Sequence, residues 1–120
     1  MRRILIVDDE ETNQRLFKAI LEERGYEILQ AYNGNDGIEI AKESQPDLIL
    51  MDIQIPEIDG IEAFKILKST QLTVNIPVIA LTSYAMNADR EKFLLIGFRD
   101  YIAKPISINE FARLVDSYCC

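Results

Sequence analysis

Histidine is absent from the 120 residues, and cysteine is nearly so, with two side by side at Cys119 and Cys120. Without an imidazole, Ser-His and Cys-His nucleophile pairs are excluded. A zinc site or a disulfide framework needs spaced ligands, which two adjacent thiols do not supply. The cysteines read instead as part of a reduced tail at 118–120. No run approaches the ~18 consecutive apolar residues of a membrane-spanning helix, so membrane insertion is not expected. The opening MRRILIVDDEE has too short an apolar stretch for a secretion signal and reads as a first strand, with the cytoplasm as the expected compartment. Positive charge is also scarce, with 13 basic residues against 20 acidic and a net charge of −7. Such a surface is a poor partner for nucleic acid and an ordinary aid to solubility.

What is present fits one domain spanning 1–120, with 48% hydrophobic and 28% charged residues. Short apolar runs recur as ILIV at 4–7, YEIL at 26–29, LILM at 48–51, VIAL at 78–81 and YIA at 101–103. Helical spacing fills the gaps. Leu16, Phe17, Ile20 and Leu21 form a stripe that Gly25 ends. Ile38 and Ala41 mark a second helix after the turn NGNDG, and Ile61, Phe64 and Leu67 a third, opened by Asp59 with Glu62. Met86, Phe93 and Leu94 mark a fourth, stopped at Gly97. Ser107 and Glu110 read as a capping box before Ile108, Phe111, Ala112 and Val115. Five strands alternating with five helices predict an α/β domain with a parallel sheet. Its central strands are continuously apolar because both faces are covered.

Ligands of such sheets bind beyond the carboxyl ends of the strands, at the point where strand order reverses. The first strand ends in Asp8-Asp9, the third in Asp52, the fourth in Thr82-Ser83 and the fifth in Lys104-Pro105. Carboxylates on neighbouring strands, roughly 5 Å apart, repel unless one takes a proton or a cation sits between them. A small set of oxygen donors completed by water suits Mg²⁺. The third strand thus delivers Asp52 to a metal-bearing rim instead of burying it. A carboxylate can attack phosphorus to give an aspartyl phosphate, which needs a metal, a hydroxyl and a cation around the phosphoryl oxygens. Each item alone has an ordinary explanation: acids at a helix start, Thr82 as a helix cap, Lys104 as a surface lysine. Their joint placement at separate strand ends favours the chemistry.

ILIVDDE, DLILMDIQIPEIDG, PVIALTSYA and DYIAKPIS stand in the order and spacing of four signature segments, and on them the chain resembles the receiver domain of bacterial two-component response regulators. The resemblance implies a doubly wound, flavodoxin-like (βα)₅ fold with strand order 2-1-3-4-5. It implies Asp52 as phosphoacceptor, Asp9 and Asp52 as direct Mg²⁺ ligands with the Gln54 carbonyl, and Asp8 acting through water. Thr82 and Lys104 would contact the phosphoryl group, and the Lys104-Pro105 peptide would be cis. Thr82 and Tyr101 would form the switch that alters the surface of the fourth helix, fifth strand and fifth helix. Tyr101 otherwise reads as a packed ring with a wet hydroxyl. Gln54 and Tyr84 would tune loss of the phosphate. The implied partners are a sensor histidine kinase or a histidine phosphotransfer protein, with the downstream partner open. LTSYAM and KPIS are similar to single-domain regulators and to receivers of hybrid kinases. No effector domain is expected after residue 118.

A turnover enzyme is the rival class. Mg²⁺-dependent aspartyl phosphatases carry a D-x-D motif, whereas the residues after Asp52 read IQIPEID. A flavin site needs a donor-rich phosphate loop after the first strand, where DDEE would repel phosphate. A signalling switch, not an enzyme with a separate substrate, is the expectation.

Overall fold

The computed structural model describes residues 2–53, 59–82, 87–103 and 108–119. Five strands and five helices alternate: β1 (Arg3–Val7), α1 (Glu11–Glu23), β2 (Glu27–Ala31), α2 (Gly34–Ser44), β3 (Leu48–Asp52), α3 (Gly60–Lys68), β4 (Val78–Thr82), α4 (Asn87–Ile96), β5 (Asp100–Ala103) and α5 (Ile108–Cys119). The strands pair in parallel in the order β2-β1-β3-β4-β5. The chain therefore leaves β1 toward one edge and returns to β1's other side at β3, which makes the β1/β3 boundary the switch point.

Side-chain alternation divides the core into two layers. Leu5, Val7, Ile49, Met51, Val78 and Ala80 face α2, α3 and α4 through Ile38, Ala63, Phe64, Leu67 and Phe93. Ile4, Ile6, Leu48, Leu50, Ile79 and Leu81 face α1 and α5 through Phe17, Leu21, Phe111 and Val115. Every residue of β3 and β4 is buried, whereas the edge strand β2 is mostly half-buried. Continuous apolar runs in the centre thus have their cause in cover on both faces.

Helix ends follow local chemistry. Asn33 and Asp59 cap α2 and α3, their side chains accepting from the N–H groups of Asp36 (2.8 Å) and Glu62 (2.9 Å). Gly25 and Gly97, at φ +92° and +124°, close α1 and α4. In each, the glycine N–H and the next N–H reach back to the last turn, from Gly25 and Tyr26 to Glu22 and Leu21, and from Gly97 and Phe98 to Leu94 and Phe93.

Several boundaries depart from the sequence reading. NGNDG is no free turn: α2 begins at Gly34, inside it, because Asn33 supplies the cap. The second strand runs Glu27–Ala31, paired with Arg3–Val7. Tyr26 precedes it, packs in the α1/α5 layer and donates its hydroxyl to Asp116. Leu16 is exposed, and Gln14 takes its place beside Phe17 and Leu21 on the buried face of α1. Ile108 is likewise exposed. The tail expected at 118–120 is corrected for its first residues: α5 runs through Cys119 because the Tyr118 ring packs on the α1/α5 layer. Met86 and Ser107 lie outside the described residues.

Candidate functional site

β1 ends at Val7 opposite Met51 of β3, so Asp8 and Asp52 follow as neighbours across the switch point. Asp52 is only 4% exposed, which corrects the expectation that its strand leaves it unburied: burial of β3 extends through its last residue. Asp8 is fully buried and Asp9 is exposed. One carboxylate oxygen from each of Asp8, Asp9 and Asp52 lies within 4.8 Å of the others.

Asp8 is held on all sides. Its N–H donates to the Ala31 carbonyl at 3.1 Å. One carboxylate oxygen accepts from the Glu10 N–H at 2.9 Å and the other from the Asn13 amide at 3.2 Å. Its carbonyl accepts from the Gln14 amide at 3.0 Å. The Glu10 N–H stands at the start of α1, where backbone N–H groups lack helical partners and favour an anion, while Asn13 and Gln14 donate side-chain amides. Gln14 and Asn13 were not singled out from the sequence. The available signal was position: Gln14 stands three before Phe17 and seven before Leu21, on the helix face that must be buried.

Thr82 ends β4 and is fully buried. Asp52 pairs with Leu81, the residue before it, and the Ile53 N–H donates to the Leu81 carbonyl at 3.0 Å. Tyr101 pairs with Ala80, so alternation puts Thr82, Ala80 and Tyr101 toward one sheet face. The Tyr101 ring is half-buried and tilted against Phe93, with centroids 6.0 Å apart. Gln54, Tyr84, Lys104 and Pro105 lie outside the described residues. On the same rim, the Tyr32 hydroxyl donates to Glu11 at 2.7 Å and the Arg15 guanidinium adds a second bond at 3.1 Å. These hold the Glu11 carboxyl below its ordinary pKa, Tyr32 first and Arg15 second, while the bond to Glu11 raises that of the Tyr32 phenol.

Three carboxylates so close repel one another, and a hard divalent cation relieves that repulsion better than any single proton. With oxygen donors alone, and neither imidazole nor thiolate in the cluster, the chemistry fits Mg²⁺ and not zinc.

A doubly wound parallel domain with three acids gathered at its switch point, two of them buried, is the architecture of phosphoryl-accepting signalling modules. Residues 4–116 match the family model of the response regulator receiver domain, and the chain belongs to that family. It is 44% identical over 117 residues to the polar-differentiation response regulator DivK of Brucella anthropi, covering 98% of this chain and 95% of that protein. Among solved structures, a response regulator from Chloroflexus aurantiacus superposes with a TM-score of 0.91 at 28% identity, covering 98% of this chain and 97% of that one. The receiver domain of a sensor histidine kinase from Pseudomonas aeruginosa, with a magnesium ion coordinated in its active-site cleft, superposes at 0.89 with 33% identity, covering 98% and 97%. Receiver domains are switches of two-component signalling that work with histidine kinases or phosphotransfer proteins, and are not turnover enzymes. No helix among the described residues is long and apolar enough to cross a membrane.

Proposed function

We propose that this chain accepts a phosphoryl group on Asp52 from a phosphohistidine donor and passes the signal to a protein partner. The observation that carries the reading is the gathering of Asp8, Asp9 and Asp52 within 4.8 Å at the switch point. Asp9, Asp52 and the Gln54 carbonyl would hold Mg²⁺ directly, with Asp8 acting through a bound water. When bound, Mg²⁺ supplies charge neutralisation at the phosphoryl oxygens.

The remaining work falls to the chain's own residues. Asp52 presents a carboxylate oxygen to phosphorus in line with the departing imidazole. The hydroxyl of Thr82 and the ammonium of Lys104 bind the transferred oxygens. A phosphoryl group adds up to about two negative charges to the rim. As Thr82 moves toward them it opens space on the sheet face it shares with Tyr101, and the half-buried Tyr101 ring turns inward to fill it. The surface formed by α4, β5 and α5 then shifts between two populations. Gln54 and Tyr84 set how readily water reaches the acyl phosphate. The domain is 1–120, working in the cytoplasm. A receiver within a hybrid-kinase phosphorelay would use the same site, and similarity to the Pseudomonas kinase receiver supports that second reading.

Incubation with Mg²⁺ and a small acyl-phosphate donor, followed by intact-mass measurement, tests the proposal. The parent should gain one phosphoryl group and Asp52→Ala none. Equal labelling of both would remove Asp52 from the acceptor role.

A further inference from the structure

Gln14 is an uncharged polar side chain, fully buried on the apolar face of α1. Its Nε2 stands 3.2 Å from the Ile6 carbonyl, 3.0 Å from that of Asp8 and 2.8 Å from that of Ala31. Its Oε1 accepts from the Gln30 amide at 3.2 Å. The orientation is dictated by chemistry, because an oxygen in the place of Nε2 would face three carbonyl oxygens. An apolar side chain would complete the helix face beside Phe17 and Leu21. The amide instead bridges the carboxyl ends of β1 and β2, directly beneath the acidic pocket.

We propose that Gln14 is a positioning residue for the acidic site: by tying the Asp8 main chain to β2, its amide sets the affinity for Mg²⁺. The inference rests on the metal reading above. The Asp8 carbonyl that Gln14 holds belongs to the peptide plane from which Asp9 departs. The Ala31 carbonyl that Gln14 also holds accepts the Asp8 N–H. Loss of the amide would leave the Asp8 carbonyl without this donor and free the plane to rotate, carrying the Asp9 carboxylate away from Asp52. Partners that orient a metal's direct ligands commonly affect affinity about 10- to 100-fold.

Calorimetric titration with Mg²⁺ alone, on the parent, Gln14→Met and Leu21→Ala, tests this. Leu21 is buried on the same helix, seven residues beyond Gln14, so its truncation loosens α1 packing without removing a hydrogen bond to Asp8. We expect Gln14→Met to bind Mg²⁺ about tenfold more weakly and Leu21→Ala to bind as the parent does. Parental affinity in Gln14→Met overturns the proposal, as does an equal loss in Leu21→Ala, which would mark a general loosening. If Gln14→Met does not fold, Gln30→Met, which removes the bond to Oε1, takes its place; a smaller weakening supports the role and none overturns it. A parent that binds no Mg²⁺ overturns the metal reading and this inference with it.

Discussion

Gly60 and Asp52 meet with no room for a side chain between them. A Cβ on residue 60 would stand 2.7 Å from the Ile53 Cα and closer still to the Asp52 carbonyl oxygen. The Gly60 N–H donates to the Ile53 carbonyl at 3.0 Å. The start of α3 is thus pressed onto the backbone that carries Asp52, and the obstacles are main-chain atoms that cannot rotate aside. Gly60→Ala should lose about 1–3 kcal/mol of stability by overpacking, read from urea unfolding. It should also slow acyl-phosphate labelling, since relief requires moving the main chain at 52–53.

Metal removal should reveal the repulsion in the pocket. In chelator, Asp52→Asn should melt at a higher temperature than the parent, because one of three crowded charges is gone. Added Mg²⁺ should raise the parent's melting temperature in proportion to the logarithm of its concentration above Kd, and raise that of Asp52→Asn far less. Differential scanning fluorimetry reads both effects. A parent that melts unchanged from chelator to millimolar Mg²⁺ would contradict the site.

Asp116 ties α5 to the end of α1. Arg24 donates two bonds to one carboxylate oxygen, at 3.0 and 2.7 Å, and Tyr26 donates to the other. These donors, Arg24 first, hold the Asp116 carboxyl below its ordinary value. A depressed carboxylate contributes stability above the unfolded-state value of about 3.9, and that stability is lost as pH falls through the folded value. Asp116→Asn should therefore be less stable than the parent at neutral pH, with the gap closing as pH drops below about 3.9. Urea midpoints across that range give the answer.

Gln45 ends α2 at φ 45°, ψ 65°, with its N–H on the Ala41 carbonyl. The left-handed region costs a residue with a Cβ about 1–2 kcal/mol, while glycine's extra unfolded-state freedom returns about 0.5–1 kcal/mol of that. Gln45→Gly should be more stable by ~0.5 kcal/mol, the difference between those two terms. A lower urea midpoint in the variant would show that the Gln45 side chain makes contacts worth more than the strain.

The sequence by itself determined the alternation of strands and helices and the three acids that meet at the switch point. Runs such as LILMD and VIALT are covered on both faces, so their composition announces their burial, and the carboxylate or hydroxyl ending each run marks where the strand stops. The caps at Asn33 and Asp59 and the glycine stops at Gly25 and Gly97 are local chemistry, legible within a few residues. Only the tertiary structure decided how those pieces meet. Leu16 and Gln14 both lie near the face of α1 that Phe17 and Leu21 define, and hydropathy favours Leu16. The carbonyls of Ile6, Asp8 and Ala31, gathered from two strands, are what draw the amide inward instead. The contact of Gly60 with the Asp52 main chain likewise depends on where α3 lands. Hydropathy and capping act over neighbours in the chain, whereas a buried polar group is stable only where distant segments bring it partners.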